Sequence, residues 1–166
     1  MERSEKLSLV QQFESSILTL IDFVKSTSAA AIDFRPDLPG AWTIRDHAVH
    51  FLDADTFAYG RIRLAVAQPG TEVLVWDEEA FAQRCRYQTA DALACLETAR
   101  ALRHVAAALA RDLVAANWED YYVRHPARGR MSLADLLRLY TDHVQFHLGY
   151  FQRNLAAHRA SEQAKT

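Results

Sequence analysis

Two histidines near the C-terminus, His143 and His147, are spaced for metal chemistry. They lie four residues apart in the segment HVQFH, inside a run of apolar residues with helical spacing. Side chains at i and i+4 share one face of an α-helix, so the two imidazoles lie one turn apart. Imidazole binds divalent transition metals, but two ligands do not complete a site, and the glutamate of the HExxH zinc-protease motif is absent. The pair predicts a metal site if a third ligand comes from elsewhere, and otherwise two core histidines.

Two candidates for the third ligand, His47 and His50, lie together in an earlier helical run. On a helical wheel His47 lies near the middle of the apolar stripe and His50 lies at its edge. Periodicity therefore slightly favours His47. A metal pocket opens at the rim of a bundle and not in its dry centre, so a position at the edge of the stripe does not exclude His50. Spacing alone leaves the choice open.

Four helical runs must position these histidines. Apolar residues recur at intervals of three and four over residues 5–31, 43–67, 89–117 and 132–158. Thr43 with Asp46, and Ser132 with Asp135, have the spacing of helix caps. On the third run the stripe predicted to be buried is Leu93, Leu96, Leu102, Val105, Leu109 and Leu113.

The connections between the runs favour a bundle. Residues 68–88 form the longest one, between the second and third helices; it includes a short helix at about 77–84, and it is long enough to cross a bundle. No alternating strand of useful length is present, and TEVLVW is the only short candidate. HPARGR is predicted to be an exposed turn. We therefore predict an all-α four-helix bundle, with residues 1–166 as a single domain.

Composition excludes several classes of function. The net charge of −2 provides no electrostatic reason to bind nucleic acid or an anionic membrane. No apolar run approaches the ~18 residues of a membrane span, and the N-terminus lacks the apolar core of a signal peptide. Two cysteines, Cys85 and Cys95, suit a reducing compartment. We expect a cytoplasmic protein with no nucleic-acid or membrane partner.

Two segments resemble the DinB-like, YfiT-type family. The first is WTIRDHAVHFLDADTFAYGRIRLAV followed by WDEEAF, which is similar to the family's second helix and the loop after it. The second, HPARGRMSLADLLRLYTDHVQFHLGYF, is similar to its HP turn and H-x-x-x-H-L motif. The resemblance covers residues 40–155. It implies that His50, His143 and His147 bind one divalent metal ion, zinc or nickel, and that His47 is not a required ligand.

The chain also departs from the family pattern. Members often carry a second histidine directly before the ligand on the second helix, where this chain has Val49. They often carry further histidines inside HxxxH, where it has Val144, Gln145 and Phe146. Neither departure touches the three implied ligands, but both alter the surroundings of the site.

Helical spacing indicates which side chains are near enough to orient the ligands. A metal-binding imidazole needs its second ring nitrogen held by a partner. Asp46 lies one turn before His50, and Tyr140 lies three residues before His143. Each also has a structural interpretation, Asp46 as a helix cap and Tyr140 as a core residue. In the long connection, Trp76, Asp77 and Phe81 could fold over the bundle mouth as a lid or as a surface clamp.

The resemblance implies metal-dependent chemistry of one of two kinds. Members are described as metal-dependent hydrolases, whereas relatives transfer a low-molecular-weight thiol such as bacillithiol or mycothiol to an electrophile. We favour thiol transfer, because no residue is an obvious general base for water comparable to the glutamate of HExxH. A hydrolase acting on a small ester or amide is the alternative, and a non-catalytic, metal-binding stress-response bundle is the third hypothesis.

The family also implies a homodimer. Arg61 and Arg63 are expected to be solvated, and His125 and His158 to be exposed.

Overall fold

The computed structural model describes residues 1–165, most of which lie in α-helices. The helices are α1 (Arg3–Ser16), α2 (Leu18–Lys25), α3 (Ala29–Ile32), α4 (Ile44–Ala67), α5 (Glu78–Arg84), α6 (Ala92–Asp112) and α7 (Leu133–Gln163). Two short strands, β1 (Tyr122–His125) and β2 (Gly129–Ser132), pair in antiparallel register. None of these described helices is both long and apolar enough to cross a membrane.

The long helices form the predicted four-helix bundle, in an unexpected order. The helix pair α1 and α2 packs against α6 and α7, and α4 packs against the same two helices. The first helical unit therefore lies diagonally opposite α4. The chain crosses the bundle in residues 33–43 and 113–132, whereas the long connection from α4 to α6 joins two neighbours. The crossing that we considered for that long connection does not occur there.

The first helical run is interrupted twice, which its apolar spacing does not reveal. At Ile17 the regular ladder fails because the Phe13 carbonyl accepts hydrogen bonds from the Arg103 guanidinium (3.1 Å) and the Ser16 hydroxyl (3.1 Å). The run Ser26-Thr27-Ser28 then ends α2: the first two hydroxyls donate to the Phe23 carbonyl, and Ser28 caps α3. The apolar residues that give this run its helical spacing are nevertheless all buried: Val10, Phe13, Ile17, Leu20, Ile21 and Val24.

The hairpin of β1 and β2 was not predicted. It brackets the HPARGR turn, with Gly129 in the left-handed region at φ +71°. Each strand is only four residues long and has one buried apolar residue, Val123 in β1 and Met131 in β2, so no apolar alternation marks them. The strand candidate TEVLVW contributes only a bridge between Glu72 and Arg124.

The buried face of α6 is made of small residues instead of the predicted leucines. Val105 is 48% exposed, and most of the leucines lie only half-buried at the flanks. The side chains that face the core are Ala92, Cys95, Leu96, Ala99, Arg103, Ala106, Ala107 and Ala110. Alanines let α6 approach its neighbours closely, so the wider side chains are displaced to the edges of the contact.

Both predicted helix caps are present, and they set where the histidine-bearing helices begin. The Thr43 hydroxyl accepts from the Asp46 N–H, and Asp46 accepts in return from the Thr43 N–H. Ser132 and Asp135 form the same reciprocal pair at the start of α7. Each box satisfies backbone donors that have no partner within the helix.

Candidate metal centre

Three histidines converge where α4 passes α7. His50 comes from α4, and His143 and His147 come from α7; one ring nitrogen of each lies within 4.8 Å of the others. The Nε2 atoms of His50 and His143 are 3.2 Å apart. Two nitrogens bound to one tetrahedral zinc ion lie about 3.4 Å apart, so this separation suits two ligands of a single ion. The three side chains that the family resemblance named are thus the ones that the fold brings together.

Burial keeps these imidazoles neutral, as a ligand must be. Burial and then the charge of His143 lower the pKa of His50 to about 3. Burial, followed by Arg103 and Arg128, lowers the pKa of His143 to about 4. The pKa of His147 is also lowered, first by burial and then by the neighbouring histidines. Near neutral pH each ring therefore has a free lone pair for a metal ion.

His47 lies beside the cluster and contacts one of its members. Its Nδ1 is 3.0 Å from Nδ1 of His147, with both side chains buried. The ring of His47 stacks on Tyr150 at 4.9 Å between ring centroids. Because His47 engages one nitrogen of His147, the other is left for a metal ion. His47 is therefore placed to orient His147. The helical wheel could not show whether His47 would orient a ligand or bind the metal itself.

The two side chains predicted to orient the ligands make other contacts. Asp46 accepts from its own helix cap and from Arg35 at 2.9 Å. The Tyr140 hydroxyl accepts a hydrogen bond from Arg61 at 2.8 Å. The Nδ1 atoms of His50 and His143 are buried and have no hydrogen-bond partner within residues 1–165. Asp46 thus caps α4 and Tyr140 packs in the core, which are the structural interpretations given for them above.

Aromatic side chains enclose the histidines. Trp76, in the long connection, stacks on His50 at 5.3 Å between ring centroids and on Phe57 at 5.0 Å. Phe81 meets the edge of Trp76 at 4.8 Å. On the other side Trp42 lies 5.4 Å from His50, and its indole N–H donates to Glu79 of α5. The long connection therefore does cover the mouth of the bundle, as its aromatic residues indicated.

Two cavities reach the histidines. The first, which we call the Arg61 cavity, has a volume of about 280 Å³ and is lined by His50, Arg61, Trp76, Glu78, His125, Arg128, Tyr140 and His143, among others. The second, the Phe146 cavity, has a volume of about 380 Å³ and is lined by Trp42, His47, Glu78, Phe146, His147, Tyr150 and Arg153, among others. His50 and His143 line the first cavity and His147 lines the second, so the two cavities border the cluster through different histidines.

Arg61 and His125 differ from their expected surroundings. Arg61 was predicted to be solvated but is 8% exposed, and its guanidinium donates to the Leu74 carbonyl at 2.6 Å as well as to Tyr140. His125, expected to be exposed, is half-buried in the wall of the same cavity. A signal for Arg61 was available: it follows His50 by eleven residues, or three helical turns, on the same face. His125 opens the HP turn that resembles the family motif, but no helical spacing relates it to His50.

Comparison with known proteins agrees with this architecture. The family model described as the DinB superfamily matches residues 12–151. The chain belongs to this superfamily. Among solved structures, the DinB fold of this chain matches YfiT from Bacillus subtilis with a TM-score of 0.83, over 93% of this chain and 87% of that one, at 23% identity. YfiT is described as a probable metal-dependent hydrolase with an unusual four-helix bundle topology.

Curated relatives of this DinB-superfamily chain include two bacterial proteins. A protein of Bacillus licheniformis is 31% identical over 143 residues, which cover 82% of this chain and 77% of the relative. One of Oceanobacillus iheyensis is 28% identical over 111 residues, covering 67% of this chain and 63% of the relative. Both are named "putative metal-dependent hydrolase". The predicted DinB-like, YfiT-type family is thus confirmed.

Proposed function

We propose that this protein transfers a low-molecular-weight thiol to an electrophile at a divalent metal ion, zinc or nickel, held by His50, His143 and His147. The observation that carries the proposal is that two separate cavities border one cluster of neutral histidines. A group transfer needs room for two substrates at one centre. The Arg61 cavity and the Phe146 cavity provide that room on different sides of the cluster.

The donor set fits a catalytic ion. Three neutral imidazoles leave the ion its full charge and leave coordination positions for substrate. When bound, a divalent ion of this kind supplies Lewis acidity, which lowers the pKa of a thiol or a water molecule beside it. The protein's own part is to hold the imidazoles in place and to limit access of water, which Trp42, Trp76 and Phe51 do by packing against the rings.

Transfer of the thiol to the electrophile requires no redox partner. The thiol loses its proton to solvent, its sulfur forms a bond to the electrophilic carbon, and the leaving group departs with the electron pair of the bond that breaks. With monochlorobimane as electrophile, chloride leaves and a fluorescent thioether forms. No oxidant or reductant is required, and no side chain has to become covalently modified.

Hydrolysis of a small ester or amide is the second candidate, favoured by one specific observation. Glu78 of α5 lines both cavities, and burial raises the pKa of its carboxyl group. A carboxylate near the metal is the group that a hydrolase uses to take a proton from water. The relatives' names point the same way. Hydrolysis would proceed without added thiol and would depend on Glu78.

The test begins with metal content and proceeds to turnover. We expect about one equivalent of zinc or nickel per chain by elemental analysis, lost in His50→Ala and His147→Ala. The metal-loaded protein should then consume monochlorobimane only when a thiol is present. Turnover of an ester or amide without thiol, abolished by Glu78→Gln, would identify the hydrolase instead.

Absence of bound metal after incubation with both ions at neutral pH would overturn either catalytic proposal. Stoichiometric metal binding with neither kind of turnover would favour the non-catalytic bundle. The loss of metal in the histidine variants has to be measured on folded protein, so each variant's helical circular dichroism is compared with that of the parent.

A further inference from the structure

Arg61 is a buried cation without a carboxylate partner. It is 8% exposed, and no carboxylate among residues 1–165 lies within ion-pair distance of it. Its two terminal nitrogens donate to uncharged acceptors, the Tyr140 hydroxyl and the Leu74 carbonyl, and within the described part of the chain no atom accepts a hydrogen bond from its Nε. Burying a charge without a counter-ion costs free energy, so a buried, unpaired arginine indicates a function that requires its charge.

Arg103 shows how the same protein treats an arginine with a structural role. It is 1% exposed, and its Nε donates to the Asp55 carboxylate at 2.7 Å. Its terminal nitrogens donate to Phe13, Ser16 and Tyr140, so all three of its nitrogens are paired. Arg61 lacks both the counter-ion and the full set of acceptors. The contrast indicates that Arg61 has its charged partner outside residues 1–165, in a bound ligand.

The surroundings of Arg61 are positively charged. Arg128 and His125 line the same cavity, and among residues 1–165 its lining includes one carboxylate, Glu78. The charges of Arg61 and Arg128 act on His125, whose pKa burial already lowers. The cavity therefore has two permanent positive charges against one negative charge, close to three neutral histidines. An anion placed there would be attracted from several directions.

We propose that the Arg61 cavity is an anion subsite, in which Arg61 and Arg128 bind a carboxylate or phosphate group of a small substrate whose reactive atom lies at the histidines. The inference rests on the proposed function, since it names the chemical class of one of its substrates. A guanidinium with unused N–H groups matches the paired oxygens of such an anion. The cavity volume of about 280 Å³ suits a small molecule.

Binding of succinate, with the uncharged succinamide as its matched control, tests the subsite directly. Calorimetric titration is carried out on metal-loaded protein and on protein stripped of metal, so that binding by a metal ion is separated from binding by arginine. We expect succinate or inorganic phosphate to bind both forms, succinamide to bind neither, and affinity to fall with added salt.

Four substitutions separate charge recognition from a structural role. Arg61→Gln should weaken succinate binding at least ~10-fold, as expected for a buried charge contact. Arg128→Gln, on the exposed rim, should weaken it about threefold, and Glu78→Gln should strengthen it about threefold. Arg63→Gln removes an exposed charge from the same helix, two residues along, and should leave binding unchanged.

Two results with the unsubstituted protein would overturn the subsite. One is that neither succinate nor phosphate binds in either form; the other is equal binding of succinate and succinamide. If Arg61→Gln fails to fold because it loses the contacts to Leu74 and Tyr140, the two variants Arg128→Gln and Glu78→Gln decide instead. Unchanged affinity in both Arg128→Gln and Glu78→Gln then refutes the proposal, whereas opposite shifts in the two variants support it.

Turnover measurements identify which substrate carries the anion. With monochlorobimane fixed, N-acetylcysteine is compared with its amide; with 2-mercaptoethanol fixed, 4-(chloromethyl)benzoate is compared with 4-(chloromethyl)benzamide. A lower KM for the acid of one pair, lost in Arg128→Gln, assigns the anion to that substrate. Succinate binding that persists in a protein without thiol-dependent turnover would keep the subsite and reject the transfer, so the two failures are distinguishable.

Discussion

At the scale of single residues, the site depends on four histidines with different surroundings. His50 and His143 face each other through Nε2, whereas His147 contacts His47 through Nδ1. A partner at one nitrogen selects which tautomer the ring adopts and fixes its orientation. His147 is therefore the histidine of the cluster whose orientation is held by another side chain, and His47 is the residue that holds it.

This arrangement predicts a particular effect of His47→Ala. The variant should still bind one equivalent of zinc at saturation, but with an affinity at least ~10-fold lower than that of the parent, because His147 loses its partner. His47→Gln, which keeps a hydrogen-bonding side chain, should recover part of the loss. Zinc affinity is measured by competition with a chromophoric chelator. Complete loss of stoichiometric binding in His47→Ala would instead make His47 a ligand.

At the scale of elements, the connection between α4 and α6 is fixed at both ends of its first segment. Gly70 donates to the Tyr122 carbonyl at 2.8 Å, and Val73 donates to that of Arg124 at 3.0 Å, so the connection runs along β1. Trp76 then stacks on His50. The hairpin, which the sequence did not predict, thus supports the connection that forms a wall of the Arg61 cavity.

Gly70 is the position where this support is most sensitive. Its φ of +88° is unfavourable for other residues, and a Cβ there would lie 3.2 Å from the Tyr122 hydroxyl. Gly70→Ala should cost about 1–3 kcal/mol of unfolding free energy. Gly149→Ala, on the exposed surface of α7 with nothing within 4 Å of the added atom, should instead add about 0.5–1 kcal/mol. Urea denaturation of both variants measures the two changes, and equal effects would contradict the argument.

At the scale of the whole molecule, one buried arginine ties the bundle together. Arg103 of α6 donates to Asp55 of α4, to Phe13 and Ser16 of α1, and to Tyr140 of α7. From its own helix, α6, it thus bonds to the other three helical units of the bundle from within the core. The same contacts interrupt the first helix at Ile17, so the local break is a consequence of the global network.

The pair of Arg103 and Asp55 should therefore be strongly coupled. Arg103→Met or Asp55→Leu alone should cost about 3–5 kcal/mol, because each leaves a buried charge without its counter-ion. The double substitution should be less destabilised than the sum of the two. A double-mutant cycle by urea denaturation measures the coupling. Additive losses would show that the two charges act independently.

Metal binding should stabilise the whole bundle, since the three histidines join α4 to α7. At a free zinc concentration one hundred times Kd, the folded state gains about 2.7 kcal/mol, which corresponds to a rise in Tm of about 5–10 °C. His50→Ala should remove this rise, whereas Cys85→Ser, which removes an exposed thiol, should keep it. An equal rise in the parent and His50→Ala would place the stabilising ion elsewhere.

Much of this architecture was readable from residue order alone. The long helices, both capping boxes and the pairing of His143 with His147 depend on periodicity and on neighbours three or four residues away, which a sequence displays directly. The choice of His50 over His47 as the third member of the cluster came from the family resemblance, and the structure places His50 there.

Only the tertiary structure decided the contacts between residues that are distant in the chain. The diagonal order of the helices, the alanine face of α6, the break at Ile17 and the hairpin beside the long connection all follow from packing between elements, which local spacing does not encode. The same holds for Arg61: its place on the face of His50 was visible in the sequence, but its burial without a counter-ion depends on Tyr140 and Leu74, brought to it only by the fold.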